Sequence, residues 1–135
     1  MTALDRATAR ELLRAAQQAR RLAYAPYSRF QVGAAVLADD GRVFTGCNVE
    51  CGSYGLSHCA ERVAIHKAVS EGVRRVVAVA VAGPGRRELT PCGACRQVMA
   101  EFGTSFVVVP RAGGVRVYAL KDLLPRAFLR PQDYR

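Results

Sequence analysis

The spacing of apolar positions changes period several times along the chain, and each change marks an element. Leu12, Ala15, Ala16, Ala19 and Ala23 recur at helical spacing with arginines and glutamines on the other face, and Thr8 and Glu11 offer a capping-box start. This predicts an amphipathic first helix that ends before Pro26. The string from Phe30 to Leu37 is short and apolar, Asp39-Asp40-Gly41 is a turn signal, and RVFTGCNV resumes an extended pattern, so a β-hairpin is expected. After the small-residue loop ECGSYGLS, Ala60, Val63, Ala64, Lys67 and Ala68 are again helical in spacing. That second helix is expected to open close to Ser57 or His58 and to stop at Gly72.

VRRVVAVAVAG has the composition of a strand covered on both faces, and therefore central in its sheet. Pro91 precedes CGACRQVMAEFG, a third helix with a glycine stop at Gly103. SFVVVP and VRVYAL read as two last strands with Gly113-Gly114 between them, and the tail LKDLLPRAFLRPQDYR shows one short helical turn. The order helix, strand, strand, helix, strand, helix, strand, strand predicts an α/β fold. Its expected form is a three-layer sandwich, a mixed sheet of about five strands with helices on both faces. With 135 residues and no linker or internal repeat, residues 1–135 are expected to form a single domain.

Composition narrows this further. Half the residues are hydrophobic (50%) and 23% are charged, which excludes disordered and membrane-embedded classes. The net charge of +9 raises nucleic acid as a partner. The cations are almost all arginine, however, and the doublets Arg20-Arg21, Arg74-Arg75 and Arg86-Arg87 are dispersed as on a solvated surface, which argues against it. Five cysteines are an odd set for a disulfide framework, so the thiols are expected to stay reduced. The N-terminal residues lack the apolar core of a signal peptide, and no uncharged stretch approaches a bilayer span. A cytoplasmic location without a membrane partner is the expectation.

Three of the cysteines fall where helices should begin: Cys59, and the C-x-x-C pair Cys92 and Cys95. A helix N-terminus favours thiolate over thiol, so two such starts facing one another would make a three-thiolate zinc site with the fourth position open. Cys92 and Cys95 alone would equally suit a redox pair or half of a structural zinc knuckle. Glu61, two residues after Cys59, separates these readings, because a carboxylate there can move protons at the open position without ligating. Cys59-Ala60-Glu61 followed by Pro91-Cys92-Gly93-Ala94-Cys95 matches the signature of zinc-dependent deaminases as a class. His58 is the competing ligand but stands three before the glutamate rather than two. His66 reads as a packed or surface histidine, Cys47 as a small buried residue, and Cys51 as a free thiol near the site mouth.

The stretches GCNVE, SYGLSHCAERVAIHKAVSEG, PCGACRQVMAEFG and LLPRAF resemble the small homotetrameric zinc-dependent cytidine deaminases, from about Pro26 to Phe128. The resemblance implies hydrolysis of cytidine and deoxycytidine to uridine and deoxyuridine plus ammonia in pyrimidine salvage, by zinc-activated water with Glu61 as proton shuttle. It implies one Zn²⁺ per subunit on Cys59, Cys92 and Cys95, and a homotetramer with shared active sites. Asn48 and Glu50 would hold the ribose 3′-hydroxyl, the Ala60 backbone would orient the 4-amino group, and Phe30 would stack near the pyrimidine. Phe128 of a neighbouring subunit would close the pocket, and Tyr54 would lie near a subunit boundary. Without the resemblance Glu50 reads as a surface acid, and Phe30 and Phe128 as core or interface residues. Cys51-Gly52 stands where the family usually continues Asn-Ala.

Two roles have a physical basis of their own. Three thiolates on a divalent ion leave a formal charge of about −1, and Arg62 at the same helix start is the candidate to offset it by donating to sulfur. Asn48 and Glu50 alternate along an extended segment, so their side chains share a face. Other occupants of such a site are a blasticidin-S-type substrate or a polynucleotide, and another class altogether is a zinc-stabilised binding or redox module. The short chain without a basic arm disfavours a polynucleotide, and the three-cysteine set disfavours the module.

Overall fold

The computed structural model describes residues 3–85 and 88–134, so the Arg86-Arg87 doublet lies outside the described residues. The first helix, α1, runs Arg6–Ala19 and continues as a 3₁₀ turn over Arg20–Leu22. Its N-cap is Asp5, not the expected Thr8 and Glu11 pair: Asp5 accepts the Thr8 N–H at 2.9 Å and the Thr8 hydroxyl at 2.8 Å. An aspartate three residues upstream satisfies the orphan amide and places negative charge at the positive end of the helix, so the helix starts earlier.

Five strands follow in one sheet: β1 (Gly33–Ala38), β2 (Val43–Cys47), β3 (Val76–Ala82), β4 (Phe106–Arg111) and β5 (Gly114–Ala119). Their order is β2-β1-β3-β4-β5, with β3 central and every residue of it buried, as its composition predicts. Only β3 and β4 pair in parallel; the hairpins β1–β2 and β4–β5 and the β1–β3 pair are antiparallel. The parallel pair requires a crossover, which is the helix α3 (Gly93–Glu101). Helix α2 (Ala60–Ser70) lies between β2 and β3 in the chain, and a single turn, α4 (Leu120–Leu123), follows β5. Among the described residues no helix is long and apolar enough to cross a membrane.

The alternation in β3 decides which layer each face meets. Ala78, Ala80 and Ala82 pack with Ala9, Leu12, Leu13 and Ala16 of α1. Val79 and Val81 face the other way, into the core shared with Ala60, Ala64, Ile65 and Ala68 of α2 and with Cys95 and Met99 of α3. Helices thus cover both faces, completing the expected three layers.

Two glycines record how closely helix and sheet approach. A Cβ on Gly33 would lie 2.0 Å from the Ala16 carbonyl oxygen, and one on Gly46 would lie 2.6 Å from Ala64 N and 2.9 Å from the Ala60 carbonyl oxygen. The second contact fixes the N-terminal half of α2 against β2. Gly46→Ala is therefore expected to lift α2 from the sheet and destabilise the protein by about 3 kcal/mol or more, as overpacking does when the obstacle is backbone. Chemical denaturation of wild type and variant measures it, and equal midpoints would refute the close approach.

Candidate active site

Helices α2 and α3 start at Cys59 and Cys92, which are their N-caps in extended conformation. Neither side chain caps its own helix, which leaves both sulfurs free to face each other. The start of α2 is one or two residues later than expected. His58 is held in an extended bridge, donating to the Val49 carbonyl at 2.9 Å and accepting the Val49 N–H at 3.0 Å, and the Ser57 hydroxyl accepts the Cys51 N–H at 3.0 Å. These contacts keep residues 57 and 58 out of the helix and make Cys59 its first capping position.

The sulfurs of Cys59, Cys92 and Cys95 all lie within 4.8 Å of one another, with Cys59 and Cys92 3.8 Å apart. Zinc–sulfur bonds of about 2.3 Å at tetrahedral angles set sulfur–sulfur edges of about 3.8 Å, so the three cysteines fit a zinc ion. Their chemistry agrees. Contacts from Cys95, then Arg62 and Cys92, pull the Cys59 thiol down to about 5. The Cys95 thiol shifts upward, chiefly because it donates to the Cys59 sulfur. Arg62 Nη2 donates to Cys59 Sγ at 3.7 Å, the contact expected of a cation that offsets thiolate charge.

Glu61 sits in the first turn of α2, 4% exposed. Burial raises its carboxyl from 4.5 to about 7, with the negative Cys59 sulfur adding to the shift and Arg62 opposing it. It lines a cavity of about 460 Å³ together with Cys59, Ala60 and Cys92, and with Phe30, Asn48 and Glu50. The structure therefore brings together nine of the ten predicted site residues: Phe30, Asn48, Glu50, Cys59, Ala60, Glu61 and Cys92 line the cavity, Cys95 joins the other two sulfurs, and Arg62 contacts Cys59. Phe128 does not line this cavity; it lies on the tail, 67% exposed, with its carbonyl accepting from Gln97 Nε2 at 2.9 Å.

Asn48 and Glu50 follow β2 and do more than share a face. Asn48 accepts the Val32 N–H at 2.8 Å and donates to the Phe30 carbonyl at 2.9 Å, standing in for a strand neighbour where the ladder has ended. That is why β1 begins at Gly33 rather than at Phe30. Glu50 accepts the Tyr27 and Ser28 N–H groups at 3.0 and 3.1 Å and the Ser28 hydroxyl as well, and these contacts hold its carboxyl below the usual range. A second cavity of about 360 Å³ adjoins Glu50, lined by Tyr27, Ser28, Tyr54 and Ser57. Tyr54 meets Tyr27 edge-on there, and Gly52 leaves room for the Tyr27 hydroxyl, which would stand 3.1 Å from a Cβ. His58 and His66 are exposed; Cys47 and Cys51 are half-buried, with Cys51 Sγ donating to the Leu56 carbonyl at 3.7 Å.

Ser28, Val32, Val81, Leu89 and Thr90 also line the main cavity and went unpredicted. Ser28 and Val32 flank Phe30, and Leu89 and Thr90 run directly into Pro91-Cys92, so adjacency to a motif is the signal that could have found them. Val81 carries no such signal, being one of a run of core valines.

Residues 6–110 match the family model described as the cytidine and deoxycytidylate deaminase zinc-binding region. The chain is 52% identical over 120 residues to a cytidine deaminase of Halalkalibacterium halodurans, covering 87% of this chain and 91% of that one. It is 51% identical over 113 residues to a cytidine deaminase of Mycobacterium tuberculosis, 84% of each chain. Among solved structures, a cytidine deaminase from Burkholderia pseudomallei superposes with a TM-score of 0.81 at 52% identity, covering 87% of this chain and 97% of that one.

Burial of Glu61 makes a prediction for the zinc-free protein. A carboxyl raised from 4.5 to about 7 stabilises the fold fully below pH 4.5 and loses that contribution as pH rises through about 7. Glu61→Gln is therefore expected to make chelator-treated protein more stable than wild type at pH 8, by up to about 3 kcal/mol, and to leave the two alike near pH 4. Urea denaturation at both pH values tests the sign.

Proposed function

The chain belongs to the cytidine and deoxycytidylate deaminase zinc-binding family, and from that premise we propose that it hydrolyses cytidine and deoxycytidine to uridine and deoxyuridine with release of ammonia. The observation that carries the reading is a buried carboxyl group beside three convergent cysteine sulfurs, at a cavity of about 460 Å³. Cys59, Cys92 and Cys95 would hold one zinc ion per subunit, which would supply Lewis-acid activation of water.

Glu61 does the proton work. Its carboxylate takes a proton from water as the oxygen adds to C4 of the pyrimidine, and delivers it to N3. It then takes the proton of the new C4 hydroxyl and gives it to the amino nitrogen. The C4–N bond breaks, ammonia leaves, C4 becomes a carbonyl, and the carboxylate is restored. Burial makes the protonated form accessible near neutral pH, which a group that both accepts and donates requires. Arg62, at Cys59 Sγ, offsets the charge of the sulfurs.

The remaining roles in this reading follow the cavity. The Phe30 ring stacks near the pyrimidine, the Ala60 backbone orients the 4-amino group, and Asn48 and Glu50 take the ribose 3′-hydroxyl. Phe128 closes the pocket of a neighbouring subunit in a homotetramer with shared sites. Its exposure on the tail, and that of Tyr24, Tyr54 and Leu56, supports an apolar surface for self-association. The free cysteines support a reducing, cytoplasmic setting, and a single domain over residues 1–135 working in pyrimidine salvage on free nucleosides completes the reading.

Zinc-loaded protein is expected to convert cytidine to uridine, followed by loss of cytidine absorbance. Glu61→Ala is expected to keep zinc and fold while losing at least about 10²-fold in kcat; zinc lost with the side chain would instead make Glu61 a ligand and end the mechanism. Phe128→Ala is expected to raise KM in a tetramer of unchanged mass, read by light scattering alongside kinetics; unchanged KM would remove Phe128 from the pocket.

A further inference from the structure

The backbone from Ala25 to Phe30 turns through Arg29, whose φ of 57° lies in the left-handed region that a long side chain avoids. Such conformations persist where the surroundings over-determine them. Here the Arg29 N–H donates to the Ala25 carbonyl at 2.9 Å, and the Glu50 carboxylate grips the turn from across the site. Ser28 is the centre of that grip. Its hydroxyl donates to Glu50 Oε2 and accepts the Phe30 N–H at 3.0 Å, and its own N–H donates to Glu50 Oε1 at 3.1 Å. Ser28 also lines the cavity with these two residues.

A carboxylate offers about four acceptor positions. Tyr27 N–H, Ser28 N–H and the Ser28 hydroxyl take three of them, leaving Glu50 one further position whose direction the other three fix. An acceptor so placed recognises a hydroxyl that donates.

We infer that Ser28 is a positioning residue that sets selectivity for a nucleoside with a free 3′-hydroxyl, by fixing the Glu50 carboxylate and holding it in register with Phe30. This rests on the assignment of Glu50 to that hydroxyl and extends it to the residue that aims the carboxylate. Without the Ser28 hydroxyl, Glu50 keeps two amide donors, gains freedom to rotate, and loses its link to Phe30. A substrate that lacks the 3′-hydroxyl never used the aimed position and feels only the loosened Phe30, a loss that both substrates share.

The test is the selectivity between cytidine and 3′-deoxycytidine, read as kcat/KM on zinc-loaded protein. Wild type is expected to prefer cytidine. Ser28→Ala is expected to lower kcat/KM for cytidine about tenfold more than for 3′-deoxycytidine, mainly through KM, and Ser28→Thr to restore the preference. If Ser28→Ala fails to fold, Ser28→Cys, which keeps the shape and weakens the donor, carries the same comparison. Equal losses on both substrates, or an unchanged preference, overturn the role of Ser28. A wild type that does not distinguish the two substrates overturns the assignment of Glu50 itself, and Ser28 with it.

Discussion

The contact on which the rest depends is the meeting of two helix N-termini at three sulfurs. Bringing thiolates within 4.8 Å of one another is electrostatically unfavourable unless positive charge is at hand. The positive ends of α2 and α3 and the Arg62 guanidinium supply it in part, and a zinc ion held by the sulfurs would supply the rest. The sheet then serves as a spacer. Gly46 seats α2 on β2, β3 and β4 carry α3 across as a crossover, and the shared valine core under both helices holds their starts opposite each other.

Elsewhere around the cavity, side chains perform work that backbone does in the sheet. Asn48 completes the pairing of Phe30 and Val32 after the β1–β2 ladder stops, and Glu50 holds a turn that the chain would not adopt unaided. Residues assigned to the sugar are therefore also pins of the fold. This lowers the entropy lost on binding, because the groups are already ordered before the ligand arrives. It also means that loss of either residue acts on stability as well as on recognition, so their contributions to activity are separable only against a substrate that lacks the sugar group in question.

Charge is used sparingly in the site. Of an excess of nine positive charges, Arg62 alone touches a sulfur ligand among the described contacts. Others serve the backbone: Arg96 donates to the Pro91 carbonyl at 2.7 Å and the Leu123 carbonyl at 2.6 Å, and Arg74 to the Val69 and Val73 carbonyls at 3.0 and 2.9 Å. Guanidinium groups that cap carbonyls in this way are fixed in place, unlike the mobile basic stripe that tracks a phosphate backbone.

The sequence by itself determined the element order, the central strand and the sulfur site, because each rests on a local signal: a period of two or 3.6, a glycine stop, or a fixed spacing such as Cys59-Ala60-Glu61. It misjudged the starts of α1 and α2, where the deciding contacts come from Asp5 in one case and from the His58–Val49 bridge in the other. It also passed over Ser28, Leu89 and Thr90, whose place in the cavity depends on partners distant in the chain. Only the tertiary structure decided that Asn48 pairs with Phe30 and Val32 beyond the ladder, that Ser28 hydrogen-bonds Glu50, and that burial raises the Glu61 carboxyl to about 7. Burial and long-range hydrogen bonds are properties of the packed layers, and no local pattern encodes them.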